Sequence, residues 1–286
     1  MSEPNVETWS GKDRTQENFP VGSVLISAAL RPHVHAFYDF ARNGDDIADS
    51  PALDPADKVR RLDAMEAVLL GRQQEGSPSA TRLRASLAAS GVSPVHACEL
   101  LVAFRRDATK NRYASWDELY DYCRYSAMPV GRYMLDLHGE DRETWESGDA
   151  LCVSLQVLNH LQDGQKDLRK LDRCYLPADL LARHGARVED LQAPAASPGL
   201  RAVLDALLAE CDRLDAVALE LPCRIRSRRL RLETAVIVGL AHRLARRLHR
   251  ADPVAGRVKL MKSDAAGAVL GACLLYTSDA ADEGLG

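Results

Sequence analysis

Apolar positions recur along this chain at helical rather than strand spacing. Val59, Leu62, Met65, Val68 and Leu69 repeat at steps of three and four, and so do Val203, Leu204, Leu207, Leu208, Cys211, Leu214 and Val217. No sustained apolar-polar alternation is present, so the pattern predicts an all-α protein. The first expected helix runs from Phe19 to Asp46, with a break at Arg31-Pro32, and is followed by a turn at Ser50-Pro-Ala-Leu-Asp-Pro55. Helices from Ala56 to Leu70, Ala80 to Ala89 and Pro94 to Asp107 come next. Ser115-Trp-Asp-Glu118 reads as a capping box, opening a helix that reaches His138 with a bend at Pro129. A long helix, Trp145 to Arg169, precedes a turn at Arg173-Cys-Tyr-Leu-Pro177 and a short helix after it. His184 to Pro198 is a linker with a turn or two of helix, and Leu200 to Leu219 and Pro222 to His249 are the last long elements.

The long helix interrupts its own apolar pattern. Asn159, Asp163 and Asp167 stand one above another at 3.6 residues per turn, with Gln156 beside that line. Leu151, Val153, Leu155, Leu158 and Leu161 surround the stripe, which therefore faces inward, and carboxylates facing inward need a compensating charge. A second pair with i,i+4 spacing, Asp45 and Asp49, lies in Gly44-Asp-Asp-Ile-Ala-Asp49, also beside apolar sequence. Two such walls opposed across a cavity would hold Mg²⁺, or Mn²⁺ in its place, and through the metal a diphosphate. Arg42, three residues before Asp45, and Arg173, after the second motif, carry guanidinium groups that would fork onto phosphate oxygens.

Composition narrows the class further. The 286 residues are 46% hydrophobic and 5% aromatic, enough for a substantial core, and nothing indicates disorder. A net charge of -4 argues against a nucleic-acid partner. Seven cysteines with no CxxC suit reduced thiols in a cytoplasmic protein. Met1 to Asn18 is polar, lacks the apolar stretch of a secretory signal, and is expected to be flexible. The apolar run Ala265 to Tyr276 is shorter than the roughly 20 residues a bilayer span needs. Residues 273–286 lose the helical period and read as a frayed end or a non-native extension, leaving 19–272 as one domain.

Four ordered motifs carry a family resemblance: Tyr38-Asp-Phe-Ala-Arg42 with Asp45-Asp-Ile-Ala-Asp49, Tyr122-Cys-Arg-Tyr-Ser-Ala-Met-Pro-Val-Gly131, Leu155 to Asp167, and Arg173-Cys-Tyr-Leu-Pro177. From Phe19 to His249 the chain resembles the squalene/phytoene synthase family of head-to-head prenyl-transferring enzymes. Glu17-Asn-Phe-Pro-Val21 and Leu158-Asn-His-Leu-Gln-Asp163 are most similar to its bacterial hydroxysqualene synthase branch of the hopanoid pathway; the squalene and phytoene branches usually place Arg where this chain has Gln162. The family's usual Ala-Gly-x-Val-Gly reads here as Ala127-Met-Pro-Val-Gly131.

The resemblance implies an isoprenoid synthase fold, a single helical bundle around a central cavity. It also implies Mg²⁺ held by Asp45, Asp49, Asn159, Asp163 and Asp167, with Arg42, Gln156 and Arg173 on the substrate diphosphate. Presqualene diphosphate would ionise, and water rather than hydride from NADPH would quench the cation, giving hydroxysqualene; NADPH is not expected. Tyr38, Tyr122 and Tyr175 would stabilise passing positive charge, and Gln162 would position water. A presqualene diphosphate synthase and a hydroxysqualene-reducing enzyme would be functional partners, and so apolar a substrate suggests peripheral contact with the inner face of a membrane.

Rival readings stand beside these. Presqualene diphosphate, squalene or phytoene synthesis is the near alternative within the family, and a non-catalytic helical assembly factor is the alternative outside enzymes. The tyrosines would serve equally as core packing. His33, His35 and His160 read as packing or surface residues because Mg²⁺ prefers oxygen. Ser23, Cys123 and Cys174 have no base at a telling spacing, and the arginines at 224–231 and 243–250 read first as solvated helix faces.

Overall fold

The computed structural model describes residues 5–7, 25–261 and 263–272, and every regular element among them is helical. The start of the first expected helix, the Glu17–Val21 motif, Ser23 and the tail from Cys273 lie outside the described residues. In chain order the α-helices are α1 (Arg31–Asp49), α2 (Pro55–Leu69), α3 (Pro78–Ser90), α4 (Val95–Asp107), α5 (Trp116–Ser126), α6 (Met128–Leu137), α7 (Trp145–Leu171), α8 (Ala178–Arg183), α9 (Pro198–Ala218), α10 (Leu221–Arg224) and α11 (Arg228–Arg250). Residues 263–272 form a last short helix.

Caps fix many of these starts. Asp54, Ser77 and Ser197 each accept a hydrogen bond from the backbone N–H three residues on, and each is followed by a proline at the first helical position. Proline has no N–H to lose there, so these helices begin one or two residues before the apolar period does. Two expected continuous helices are interrupted. Pro129 brings a full break between α5 and α6 rather than a bend, because its ring lacks a donor and crowds the preceding turn; Ala127 sits at φ -120°. The helix expected from Pro222 divides at 225–227, where the buried Glu140 carboxylate accepts the N–H groups of Arg226 and Ser227 at 2.8 Å each and Ser227 caps α11. At Ser115, the hydroxyl accepts from Glu118 N–H as expected, but the Glu118 carboxylate reaches Ala114 N–H, one residue before the cap.

The chain divides into two compact units. The first comprises the residues up to Asn111 together with Arg124–Gly139. Here α1 buries Val34, Phe37, Phe40 and Ile47 on one face, against Leu62, Met65 and Val68 of α2, Leu83 and Leu87 of α3, Leu101 and Phe104 of α4, and Tyr133 of α6. Phe37 stacks on Tyr133 with ring centroids 3.9 Å apart, and Tyr133 Oη donates to His33 O at 3.0 Å. Gly44 lets α1 approach α4 closely: a Cβ there would stand 2.6 Å from Cδ2 of Phe104. Within the stretch expected to be loose, Val6 N–H bonds Gly76 O at 2.8 Å and the Glu7 carboxylate accepts from Ser77 Oγ and Ser79 N at 2.7 Å each.

The second unit comprises Arg112–Cys123 and everything from Glu140 onward. Its spine is α7, packed against α9 and α11. Val153, Val157, Leu158 and Leu161 of α7 and Val203, Leu204, Leu207 and Leu208 of α9 are buried. Across these helices Ser154 Oγ donates to buried Asp215 Oδ1 at 2.6 Å. α7 runs past its expected end and stops at Asp172, which takes the left-handed conformation at φ 49° that asparagine and aspartate tolerate best after glycine.

Candidate active site

In the first unit, helical spacing puts Tyr38, Arg42, Asp45 and Asp49 along one face of α1. Arg42 is committed within this motif: Nη1 lies 3.1 Å from Asp45 Oδ2 and Nη2 2.6 Å from Asp46 Oδ1. Burial and then the Asp49 carboxylate push Asp45 up to about 7, Arg42 pulls it down, and Asp107 and Asp46 push it up further. Its side chain still has 37% of its surface exposed, so crowding by protein does not seal it from water. The repulsion from Asp49 is the cause that the helical spacing supports independently. Asp46 and Asp107 carry no signal of their own in the sequence. Asp46 shares the motif, whereas only the packing of α4 on α1 brings Asp107 near.

In the second unit, Gln156, Asn159, Asp163 and Asp167 form a half-buried line along α7, neither solvated nor sealed. Asp163 is held by Arg257, whose Nε is 2.8 Å from Oδ1 and Nη2 3.1 Å from Oδ2, and by Lys166 Nζ at 3.4 Å. Gln156 Nε2 lies 3.2 Å from His160 Nε2. Gln162 stands off this line: its Nε2 donates to Val258 O at 2.5 Å, and its buried Oε1 has no hydrogen-bond partner among the described residues.

Beside the α7 line lies a buried aromatic cluster. Tyr113, Tyr122 and Tyr175 form a triangle with ring centroids 5.3, 5.5 and 5.7 Å apart. His160 stacks on Tyr175 at 3.4 Å and lies 6.3 Å from Tyr122. Buried Arg173 donates from Nη1 to Tyr175 Oη at 3.4 Å. Burial and then the Arg173 charge pull His160 down to about 3, so its ring is neutral at physiological pH. The fold thus gathers two of the three expected tyrosines, with Tyr38 in the other unit. It adds Tyr113, which sits in the loop before α5 where periodicity gives no signal, and packs His160 among the rings.

The donor chemistry fits a hard divalent cation without forming a closed cage. Among the described residues no three His, Cys, Asp or Glu side chains gather closely enough to hold a metal by themselves. What is present is oxygen: an Asp45–Asp49 pair whose mutual repulsion a cation would relieve, and an Asp163 carboxylate answered by Arg257. Open coordination completed by water and phosphate oxygens is the usual habit of Mg²⁺.

The squalene/phytoene synthase profile matches residues 12–264. The chain belongs to the squalene/phytoene synthase family. Among its relatives, the hydroxysqualene synthase of Rhodopseudomonas palustris is 50% identical over 89% of this chain and 87% of its own length. That of Sinorhizobium fredii is 45% identical over 86% of this chain and 84% of its own. The solved structure of a squalene synthase from Alicyclobacillus acidocaldarius superposes with a TM-score of 0.73 at 32% identity, covering 83% of this chain and 90% of that one. The all-helical isoprenoid synthase fold expected for the squalene/phytoene synthase family is therefore the fold observed.

Proposed function

We propose that this chain is a hydroxysqualene synthase, converting presqualene diphosphate and water to hydroxysqualene and diphosphate. The observation that carries the reading is the 50% identity to a hydroxysqualene synthase across almost the whole of both chains. The oxygen donors on α1 and α7 supply the chemistry it requires.

Asp45, Asp49, Asn159, Asp163 and Asp167 are the residues that would hold Mg²⁺, which when bound supplies the positive charge that turns diphosphate into a leaving group. Arg42, paired with Asp45 and Asp46, would turn one edge of its guanidinium fork to a phosphate oxygen, a contact it suits geometrically. The Tyr113, Tyr122 and Tyr175 rings present π surface to the carbocation left behind. Neutral His160 adds an aromatic face without adding positive charge. Buried Arg173 anchors Tyr175, and the unpartnered amide oxygen of Gln162 would accept a hydrogen bond from water. The flanking leucines and valines of α7 keep other water out. No helix among the described residues is long and apolar enough to cross a membrane, and contact with the inner membrane face is peripheral in this reading.

Asp163→Ala tests the assignment. Losing several kcal/mol of charge stabilisation should lower turnover about a thousandfold while circular dichroism keeps the same helicity. Unchanged turnover in a folded variant would remove Asp163 from the site.

A further inference from the structure

The end of α11, the segment 251–261 and the helix at 263–272 enclose an open groove of about 720 Å³. Six cationic side chains and one carboxylate line it, on a chain whose net charge is -4. Two of the cations are answered: Arg247 by Asp264 at 2.9 Å and Arg257 by Asp163. Arg246, Arg250 and Lys259 are exposed and have no carboxylate partner among the described residues.

The helix at 263–272 is docked on α11. Asp264 accepts from Met261 N–H at 2.7 Å, and Ala268 and Ala272 are buried. A Cβ on Gly239 of α11 would stand 3.4 Å from the Ala268 Cβ and 3.7 Å from its Cα, so the two helices meet closely. Its outer face is apolar. Val269 is 47% exposed and Leu270 65%, and Met261 just before the helix is 56% exposed. Large aliphatic side chains turned to water beside unanswered arginines have the two halves of an interfacial surface, charge for headgroups and apolar bulk for the acyl boundary.

We propose that this face docks on the surface of an anionic lipid bilayer, with Arg246, Arg250 and Lys259 meeting lipid phosphates and Met261, Val269 and Leu270 entering the interface. Charge complementarity selects the occupant. A nucleic acid would use the cations but leave the aliphatic face in water, and a free phosphate would need neither the face nor the open rim. The inference does not depend on which product the enzyme makes, so it stands or falls separately from the proposed reaction.

Flotation of the full chain with vesicles of phosphatidylcholine alone, and of phosphatidylcholine mixed with phosphatidylglycerol, tests it. Binding is expected only to the anionic vesicles and should weaken as salt rises. Each basic side chain near such a surface is worth about fivefold in partitioning, so R246Q/R250Q should bind roughly 25-fold more weakly. Leu270→Ser should weaken binding at every salt concentration. Both variants should keep wild-type helicity and wild-type turnover of detergent-dispersed substrate. Equal binding to neutral vesicles, no binding, or unchanged partitioning of R246Q/R250Q overturns the proposal. Displacement of the vesicles by inorganic phosphate, or self-association through Leu270 in place of vesicle binding, overturns it too.

Discussion

Asp215 sits buried between α7 and α9 with Ser154 donating to one of its oxygens and no hydrogen-bond partner on the other. Burial raises its pKa above the ordinary carboxylate value, against the Ser154 hydrogen bond and nearby His242, with Asp212 adding to the rise. A raised pKa means that the folded state holds this proton where the unfolded chain releases it. The stabilisation is therefore fully present at low pH and is lost as pH climbs through the folded value. Asp215→Asn keeps an acceptor for Ser154 and has no charge to bury. Thermal melts should show the variant gaining on the order of 1 kcal/mol, about 2–4 °C, over wild type at pH 8, with the advantage shrinking towards pH 4. An equal difference at both pH values would mean that the Asp215 charge is not what the interface resists. At this scale the sequence was most readable where polar residues interrupt an apolar period. The α7 line and the α1 aspartates announce themselves in that way, and Tyr122 and Tyr175 sit in recognisable motifs. Tyr113, Asp107 and Arg257 could not be read, because each reaches its place through a loop or a helix-helix contact that no spacing encodes.

Among the elements, α1 carries the first acidic motif only as well as its packing on α4 allows. Gly44, directly before Asp45, leaves room for the Phe104 ring, and a methyl group at 2.6 Å from that ring cannot be absorbed without moving the buried ring or one of the two helices. Overpacking of this kind costs typically about 1–3 kcal/mol. Gly44→Ala should lower the free energy of unfolding by that amount, seen as a lower denaturation midpoint, and weaken Mg²⁺ binding along with it. A variant with wild-type stability would show that the α1–α4 approach is looser than the contact indicates. Helix identity and order were legible from the 3.6-residue period for α2, α3, α4, α7 and α9. Boundaries were less so. At Pro55, Pro78 and Pro198 a proline that looks like a breaker is the first helical residue, and at Pro129 one that looks like a bend marks a break. The interruption before α11 depends on Glu140, far away in sequence, and has no local signal.

For the molecule as a whole, metal would be both a catalytic and a stabilising ligand. Carboxylates that repel one another in the free protein, as Asp45 and Asp49 do, give a cation something to relieve. Mg²⁺ at a hundred times its dissociation constant should therefore stabilise the fold by about 2.7 kcal/mol in a thermal melt, and excess chelator should remove both that gain and the activity. Full activity in chelator would contradict a magnesium site. The family and the helical fold were recoverable from four ordered motifs. The aromatic cluster that completes the candidate site emerged only when the chain was folded.

In the proposed reaction water, not hydride, quenches the cation, and one assay separates the two. Purified chain is given presqualene diphosphate and Mg²⁺ with no NADPH, and the lipid extract is resolved by mass. The expected product is hydroxysqualene, its hydroxyl oxygen labelled when the reaction is run in ¹⁸O-water, with diphosphate released in equal amount. Recovery of unreacted presqualene diphosphate, or conversion to squalene only after NADPH is added, would contradict it.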